Sequence, residues 1–241
     1  MFQIDKRVLY VIMAVLVLIS LSSYLTNPDK LVGLLLTIPA VLIAITFHEF
    51  AHAFAADKLG DDTPRRQGRL SLNPFAHLDP IGSIMLVFAG FGWGKPVEIN
   101  PRNFTRKISM SAGEAIVAIA GPITNLVLAI IFTLIYYIIA KINPYFMLTN
   151  VGSVIMLLIQ TTIIINVGLG VFNLIPLPPL DGSKVLKSFL PYNAKQWLEQ
   201  YSQIFYIIFL VLWISGLAGT IISPLINLVY NGIINFVGLF F

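Results

Sequence analysis

Residues 31–56 have the sequence LVGLLLTIPAVLIAITFHEFAHAFAA. A helix of this length rises about 39 Å at 1.5 Å per residue, which exceeds the roughly 30 Å of a bilayer's hydrocarbon core. The run is apolar over most of its length, yet it holds the ionisable residues His48, Glu49 and His52 near its end. Ionisable side chains at membrane depth are costly and point to a functional site. We therefore predict a membrane-spanning helix that carries such a site.

The composition of the whole 241-residue chain also indicates a membrane protein. Hydrophobic residues make up 57% of it and charged residues only 11%, whereas soluble domains carry roughly 25% charged residues. The mean hydropathy is +0.87. This composition excludes disordered, collagen-like and disulfide-rich proteins, and it leaves a chain whose apolar surface must face lipid.

Apolar runs of sufficient length predict an all-α polytopic membrane protein with about six transmembrane helices in a single embedded domain, residues 1–241. The final apolar stretch is too long for one crossing, so it is divided near Gly216. The predicted spans are residues 8–25, 31–56, 115–140, 151–174, 201–218 and 221–240.

Between the second and third predicted spans, residues 66–105 have a different pattern. Residues 81–93 are apolar but too short to cross a bilayer, and they are rich in glycine. Residues 69–74 and 96–101 alternate apolar with polar side chains and end at proline, as strands do. We expect a small β-strand or re-entrant region here rather than a helix.

The positive charges predict an orientation in the membrane. With six spans, 13 of the 15 Lys and Arg residues lie on one side, and only Lys30 and Lys141 lie on the other. Lys and Arg near spans are retained on the cytoplasmic side. The chain is therefore expected in the plasma membrane, with both termini and the site of residues 48–52 towards the cytoplasm. The same asymmetry explains the net charge of +4 without a nucleic-acid partner.

The motif His48-Glu49-Phe50-Ala51-His52 has the spacing of a zinc clamp. Histidines four residues apart lie on one helix face, so both rings can reach one ion, and the chain has no Cys to offer instead. Glu49 projects beside them, where it can take a proton from zinc-activated water. This is the chemistry of a metal-dependent peptidase.

A catalytic zinc ion usually takes three protein ligands and leaves a position open. The candidates for the third are His77 and a carboxylate. Asp181 is favoured because the second and fourth predicted spans both end on the basic side, and because the prolines before it interrupt the helix. The alternative is that Asp181 caps a short helix over residues 182–190. His77 is otherwise expected to be a loop residue at the membrane interface, and the alternative is a group that contacts the ligands or the substrate.

Two other functions remain open on these residues. Intramembrane His and acidic groups also line ion pathways, so a zinc-binding transporter or channel is possible. A catalytically silent membrane scaffold is the third interpretation. A transporter would tolerate Glu49→Gln if its ligands stayed intact, whereas a peptidase would keep its metal and lose cleavage.

Taken together, the motifs resemble the site-2 protease family of intramembrane zinc metalloproteases, in its compact prokaryotic branch without a PDZ domain. The resemblance extends from about residue 46 to residue 187. It rests on HEFAH at 48–52, AGPITN at 120–125, NLIPLPPLDG at 173–182, GDDTP at 60–64, GRLSLNP at 68–74 and HLDP at 77–80.

This resemblance implies that His48, His52 and Asp181 bind one zinc ion and that Glu49 is the general base. It also implies that Asn173 donates a hydrogen bond to the developing oxyanion, as an amide donor can. Asn125 is expected to pack or hydrogen-bond between helices. The implied substrates are single-span membrane proteins such as anti-sigma factors, cleaved in or near their transmembrane segments.

Overall fold

A computed structural model describes residues 15, 18, 21–22, 26–89, 94–105 and 107–241. This part of the chain is almost entirely helical, and it contains only an isolated bridge between Leu78 and Gly94 in place of any strand. The helices are α1 (Pro28–Lys58), α2 (Thr63–Arg66), α3 (Pro80–Ala89), α4 (Met110–Ile142), α5 (Asn150–Asn173), α6 (Asp181–Phe189), α7 (Tyr192–Gln200), α8 (Ser202–Ile214) and α9 (Leu217–Gly238).

Helices α1, α4, α5 and α9 are long and apolar enough to cross a bilayer. The prediction of a helical multi-pass membrane protein is thus confirmed. The predicted first span, residues 8–25, lies largely outside the described residues, of which only 15, 18, 21 and 22 fall within it and are helical.

The predicted span over residues 201–218 is not confirmed. In its place α8 has 13 residues and a length of about 20 Å, less than the hydrocarbon thickness. The expected break is present, because Gly216 adopts a φ of 75° between α8 and α9. Hydropathy correctly identified an apolar run here. It did not show that the helix begins at Ser202 and ends just before Ser215.

The expectation of strands within residues 66–105 is wrong for the described part of that region. Residues 80–89 form α3. Its first turn is stabilised by Asp79, whose Oδ1 accepts a hydrogen bond from the Gly82 N–H at 2.7 Å, and Asp79-Pro80 is a helix-start signal that outweighs the glycines. The alternating segments on either side are irregular because side-chain hydrogen bonds, rather than a partner strand, satisfy their main chain.

The centre of the bundle is formed by α4 and α5, with α9 packed against both. Ala129, Ile163, Val167 and Val237 are almost completely buried there. Helix α1 packs against the other side of this pair through small residues such as Ala44, which has no exposed surface. Small side chains let helices approach closely, which is the main source of packing energy between helices in lipid.

Phe241, the last residue of the chain, lies at the opposite end of the bundle from the histidines. Its main-chain oxygen is 3.5 Å from Lys141 Nζ, and its ring stacks on Tyr137 at 5.6 Å. Gly121, which contacts the histidines, precedes Lys141 by about 30 Å of helix. Phe241 and the histidines therefore lie near opposite ends of α4.

Asp61 joins the end of α1 to the loop before α4. Its side chain is fully buried and accepts hydrogen bonds from the N–H and hydroxyl of Thr63, the N–H of Asn100 and the amide of Asn103. Burial raises the pKa of Asp61, but these hydrogen bonds lower it by more, so the net pKa lies below its usual value.

We predict that Asp61→Asn lowers the free energy of unfolding in detergent at pH 7 by about 1–3 kcal/mol, because an amide cannot accept all four hydrogen bonds. The folded-state pKa is depressed, so the carboxylate stabilises the fold above about pH 4, and this contribution is lost as the pH falls through the folded pKa. The difference between wild type and variant should therefore shrink in acid.

The matched control is Asp62→Asn, which removes an adjacent carboxylate that is exposed and pairs only with Arg66. Exposed pairs contribute little, so this variant should unfold like the wild type. Equal stability of the Asp61→Asn protein and the wild type at pH 7 would contradict the assigned role.

Candidate metal centre

His48 and His52 lie one turn apart near the end of α1, and both rings point into the bundle. Their Nε2 atoms are 3.0 Å apart, and the residues are only 5% and 8% exposed. The chain is helical here because the motif is flanked in sequence by Leu, Ile and Ala, which favour a helix. Helix α1 also packs against α4. The predicted arrangement of the two rings on one helix face is present.

Asp181 reaches the same point from the first turn of α6. Its Oδ2 atom lies 3.1 Å from His48 Nε2 and 3.2 Å from His52 Nε2. The proline-rich residues 176–179 end the preceding helix. Gly182 then lets α6 begin against the end of α5, since a Cβ there would overlap the carbonyl oxygens of Leu174 and Ile175. The side chains of the three predicted ligands therefore lie together.

The outer nitrogens of the two rings have fixed partners. His52 Nδ1 is 2.7 Å from the carbonyl oxygen of Val117, which can only accept, so Nδ1 carries the proton. His48 Nδ1 is 2.6 Å from Asn125 Oδ1. The Nδ2 of Asn125 donates to the carbonyl oxygen of Ala44 at 3.0 Å, which fixes that amide with its oxygen towards His48. His48 therefore also carries its proton on Nδ1.

The hydrogen bonds that orient His48 continue from α4 to α5. Asn125 Nδ2 also donates to Asn166 Oδ1 at 2.9 Å, and Asn166 Nδ2 donates to the carbonyl oxygen of Thr162 at 2.8 Å. Both asparagines are fully buried. The hydrogen bond expected of Asn125 between helices is present, but its contact with His48 and the contribution of Asn166 were not predicted. The sequence signal that could have identified them is an amide side chain within an apolar helix.

With both protons on Nδ1, the Nε2 lone pairs and Asp181 Oδ2 face one another. Three lone pairs at 3.0–3.2 Å repel unless positive charge lies between them. Tetrahedral zinc with ligands at 2.0–2.1 Å places neighbouring ligand atoms about 3.3 Å apart, so the spacing fits that ion. The outer partners are the kind that orient metal-binding histidines.

Gly121 leaves room for an ion beside these three atoms. A Cβ at this position would lie 2.6 Å from His52 Nε2 and 2.7 Å from His48 Nε2. The glycine of the AGPITN motif is thus explained by the space that the ligands and an ion require.

A cavity of about 530 Å³ opens onto the three ligands. Glu49 lines it, and its Oε2 accepts a hydrogen bond from the Val97 N–H at 3.2 Å. Asn173 also lines it, at the end of α5, and donates one amide hydrogen to the carbonyl oxygen of Leu169 at 3.1 Å. Within the described part of the chain, its second amide hydrogen has no protein acceptor. The two predicted catalytic side chains therefore share one cavity with the ligands.

His77 does not belong to this centre. Among the described residues the only group with metal-ligand geometry that includes a histidine contains His48, His52 and Asp181. His77 is fully buried, with Nε2 at 2.6 Å from the carbonyl oxygen of Ser71. His77 is a loop residue, as expected, but its side chain is buried because the loop folds over it.

Comparison with known proteins agrees with this centre. Residues 138–216 match the model of peptidase family M50. A Bacillus subtilis protein named "Putative zinc metalloprotease YwhC" is 38% identical over 189 residues, which cover 78% of this chain and 84% of that protein. The chain belongs to peptidase family M50. The resemblance to the site-2 protease family is thereby confirmed, and the chain belongs to a family of metalloproteases.

Two further relatives have lower sequence identity. Proteins named "Putative zinc metalloprotease Rip2" are 30% identical in Mycolicibacterium smegmatis, over 78% of this chain and 71% of that protein, and 29% identical in Mycobacterium tuberculosis, over 72% and 64%. No solved structure matches the chain.

We predict that Gly121→Ala weakens zinc binding at least roughly tenfold in this M50 protein, because the added methyl group must displace the ligand nitrogens. Zinc per purified protein and competition with a chelator measure the effect. The control is Gly168→Ala on α5, where an added Cβ meets nothing within 4 Å. Unchanged zinc affinity in Gly121→Ala would show that the ion does not lie between these ligands.

Proposed function

We propose that this protein is an intramembrane zinc metalloprotease that hydrolyses peptide bonds in or near the transmembrane segments of membrane proteins. The observation that carries the proposal is the convergence of His48, His52 and Asp181 beside Glu49, at the wall of a cavity within a helical bundle. Membership of family M50 and the names of its relatives support zinc as the ion.

Each residue then has a chemical role. His48, His52 and Asp181 hold the zinc ion, which when bound polarises the substrate carbonyl and acidifies water. Glu49 takes a proton from the attacking water and passes it to the leaving amine as the C–N bond breaks. The free amide hydrogen of Asn173 stabilises the negative oxygen that develops in the transition state.

The cavity suits an apolar, locally unwound segment. Apart from the ligands and Glu49, its walls include Ile45, Leu169, Phe172 and Phe209. A helical substrate satisfies its own carbonyl groups, so it must unwind before a carbonyl can be attacked, and the buried polar groups freed in this way are costly in lipid. We propose single-span membrane proteins, such as anti-sigma factors, as the substrates.

We propose that the metal centre faces the cytoplasm of a bacterial plasma membrane. By sequence position, Lys58 ends α1 and 10 further Lys and Arg residues follow α1 or α5 on the side of the centre. Only Lys30 and Lys141 lie at the other end of the bundle. Positive residues are retained in the cytoplasm. With residues 8–25 as a further span, the amino terminus is cytoplasmic and Phe241 lies outside, which gives five spans.

We expect Glu49→Gln to keep about one zinc ion per chain and to lose cleavage of a reconstituted single-span substrate by at least about 10²-fold, because the proton acceptor is removed. Asp181→Ala should lose both zinc and cleavage. Glu199→Gln, which alters an exposed carboxylate paired with Lys187, is the control and should behave like wild type. Full cleavage by Glu49→Gln would contradict the proposal and favour a transporter or scaffold.

The orientation is tested with single cysteines, since the native chain has none. A membrane-impermeant maleimide should label Leu148→Cys and Phe240→Cys on intact cells, because both positions are exposed and lie at the end away from the centre. It should label Lys187→Cys only after the membrane is opened. Labelling of Lys187→Cys on intact cells, with protection of the other two, would reverse the proposed orientation.

A further inference from the structure

Residues 94–100, named here the 94–100 segment, form one wall of the cavity without belonging to a helix or strand. The N–H of Val97 in this segment is the hydrogen-bond donor to Glu49 Oε2. A Cβ on Gly94 would lie 3.6 Å from Glu49 Oε1, so the main chain here closely approaches both carboxylate oxygens. The position of Glu49 therefore depends on what holds the 94–100 segment in place.

The first support of the segment is Arg69. This residue is only 5% exposed, and its guanidinium group donates to the carbonyl oxygens of Lys95 at 3.3 Å, Pro96 at 3.4 Å and Ala76. Among the described residues it has no carboxylate partner. Burying a charged group costs free energy unless hydrogen bonds compensate for the lost water. The carbonyl groups that Arg69 contacts supply this compensation, and they are thereby held in place.

The second support is the loop of residues 69–79, which precedes α3. The Lys95 N–H donates to the carbonyl oxygen of His77 at 2.8 Å, next to the bridge between Leu78 and Gly94. His77 is itself fixed by its Nε2 contact with Ser71. The buried His77 thus anchors the same segment that Arg69 binds.

The third support lies at the other end of the segment. Asp61 Oδ2 accepts a hydrogen bond from the Asn100 N–H at 2.6 Å. A buried cation therefore binds residues 95 and 96, and a buried anion binds residue 100, with Val97 between them. The contacts made by Arg69, His77 and Asp61 replace the hydrogen bonds that a neighbouring strand would provide in a sheet.

We propose that Arg69 is a positioning residue for Glu49, acting through the Pro96 carbonyl group and the adjacent Val97 N–H. This inference rests on the proposed role of Glu49 as the proton acceptor. Arginine suits the task because its rigid, planar guanidinium has five N–H donors and can cross-link several carbonyl oxygens, whereas the lysine ammonium is a flexible point donor. The GRLSLNP and HLDP motifs then serve to orient the general base, from outside the metal centre.

The test compares Arg69→Met with wild type, with Arg69→Lys, and with Arg66→Met as a control. Arg66 is an exposed arginine that pairs only with Asp62. Three quantities are measured on the purified full chain in detergent: bound zinc, amide hydrogen exchange by mass spectrometry, and kcat and KM on a peptide substrate. Glu49→Gln is included in all three measurements.

For Arg69→Met we expect unchanged zinc and at least about tenfold faster exchange confined to residues 70–79 and 94–103. We expect kcat to fall by about 10- to 100-fold, since a displacement of roughly 1 Å has this effect, while KM changes by no more than about threefold. Arg69→Lys should be intermediate and Arg66→Met like wild type. Glu49→Gln should lack turnover yet keep the 94–100 segment protected.

Two outcomes would overturn the inference. Loss of zinc or faster exchange throughout α1 and α4 in both Arg69 variants would show that Arg69 serves the whole fold. Faster exchange in the segment with an unchanged kcat would show that the segment does not position Glu49. Failure of the proposed function gives a different result, namely full cleavage by Glu49→Gln or no cleavage by wild type, whereas the exchange measurements still report whether Arg69 holds the segment.

Discussion

Two imidazole nitrogens and one carboxylate oxygen face each other at 3.0–3.2 Å inside an apolar bundle, and their lone pairs repel unless a cation lies among them. Much of the surrounding structure maintains this arrangement. Carbonyl and amide groups hold the protons of both rings on the far side. Gly121 leaves the space that an ion needs, and Gly182 lets α6 begin close enough to bring Asp181 to the rings.

The proposed zinc ligands and Glu49, the proposed general base, have separate supports. The ligands are held by packed helices, through Asn125 and Asn166 on α4 and α5. Glu49 is held by irregular chain outside the bundle, which Arg69 and Asp61 fix through buried hydrogen bonds. Helices supply rigid positions through their own hydrogen bonds, whereas a loop needs side chains to satisfy its main chain. This difference explains why the irregular chain beside Glu49 is held by the buried side chains of Arg69 and Asp61.

The sequence predicted the parts of the fold that depend on local pattern. Apolar runs located four of the crossing helices, and the spacing of His48 and His52 placed both rings on one helix face. Asp181 was identified as a partner because the topology brought the ends of two spans together. These predictions succeeded because helix periodicity and membrane thickness constrain them strongly.

Other features could not be predicted because they depend on tertiary contacts. The length of α8 and the resulting position of Phe241 depend on where a helix ends, which hydropathy does not specify. Glycine content favoured a loop over residues 81–89, but capping by Asp79 favours a helix. His77 and Arg69 are buried because their loop folds onto the 94–100 segment. Hydrophobic periodicity in the sequence does not predict a contact between two irregular segments.

The depth of Gly121 determines what the products of cleavage would be. Gly121 lies seven residues, or about 10 Å of helix, beyond Glu114, the last charged residue before α4 becomes apolar. Under the proposed function, a substrate cut at this level retains only about seven apolar residues on its cytoplasmic fragment. Roughly twenty are needed to remain anchored in a bilayer, so that fragment dissociates from the membrane without further processing. Proteolysis at this depth thus converts an anchored protein into a diffusible one.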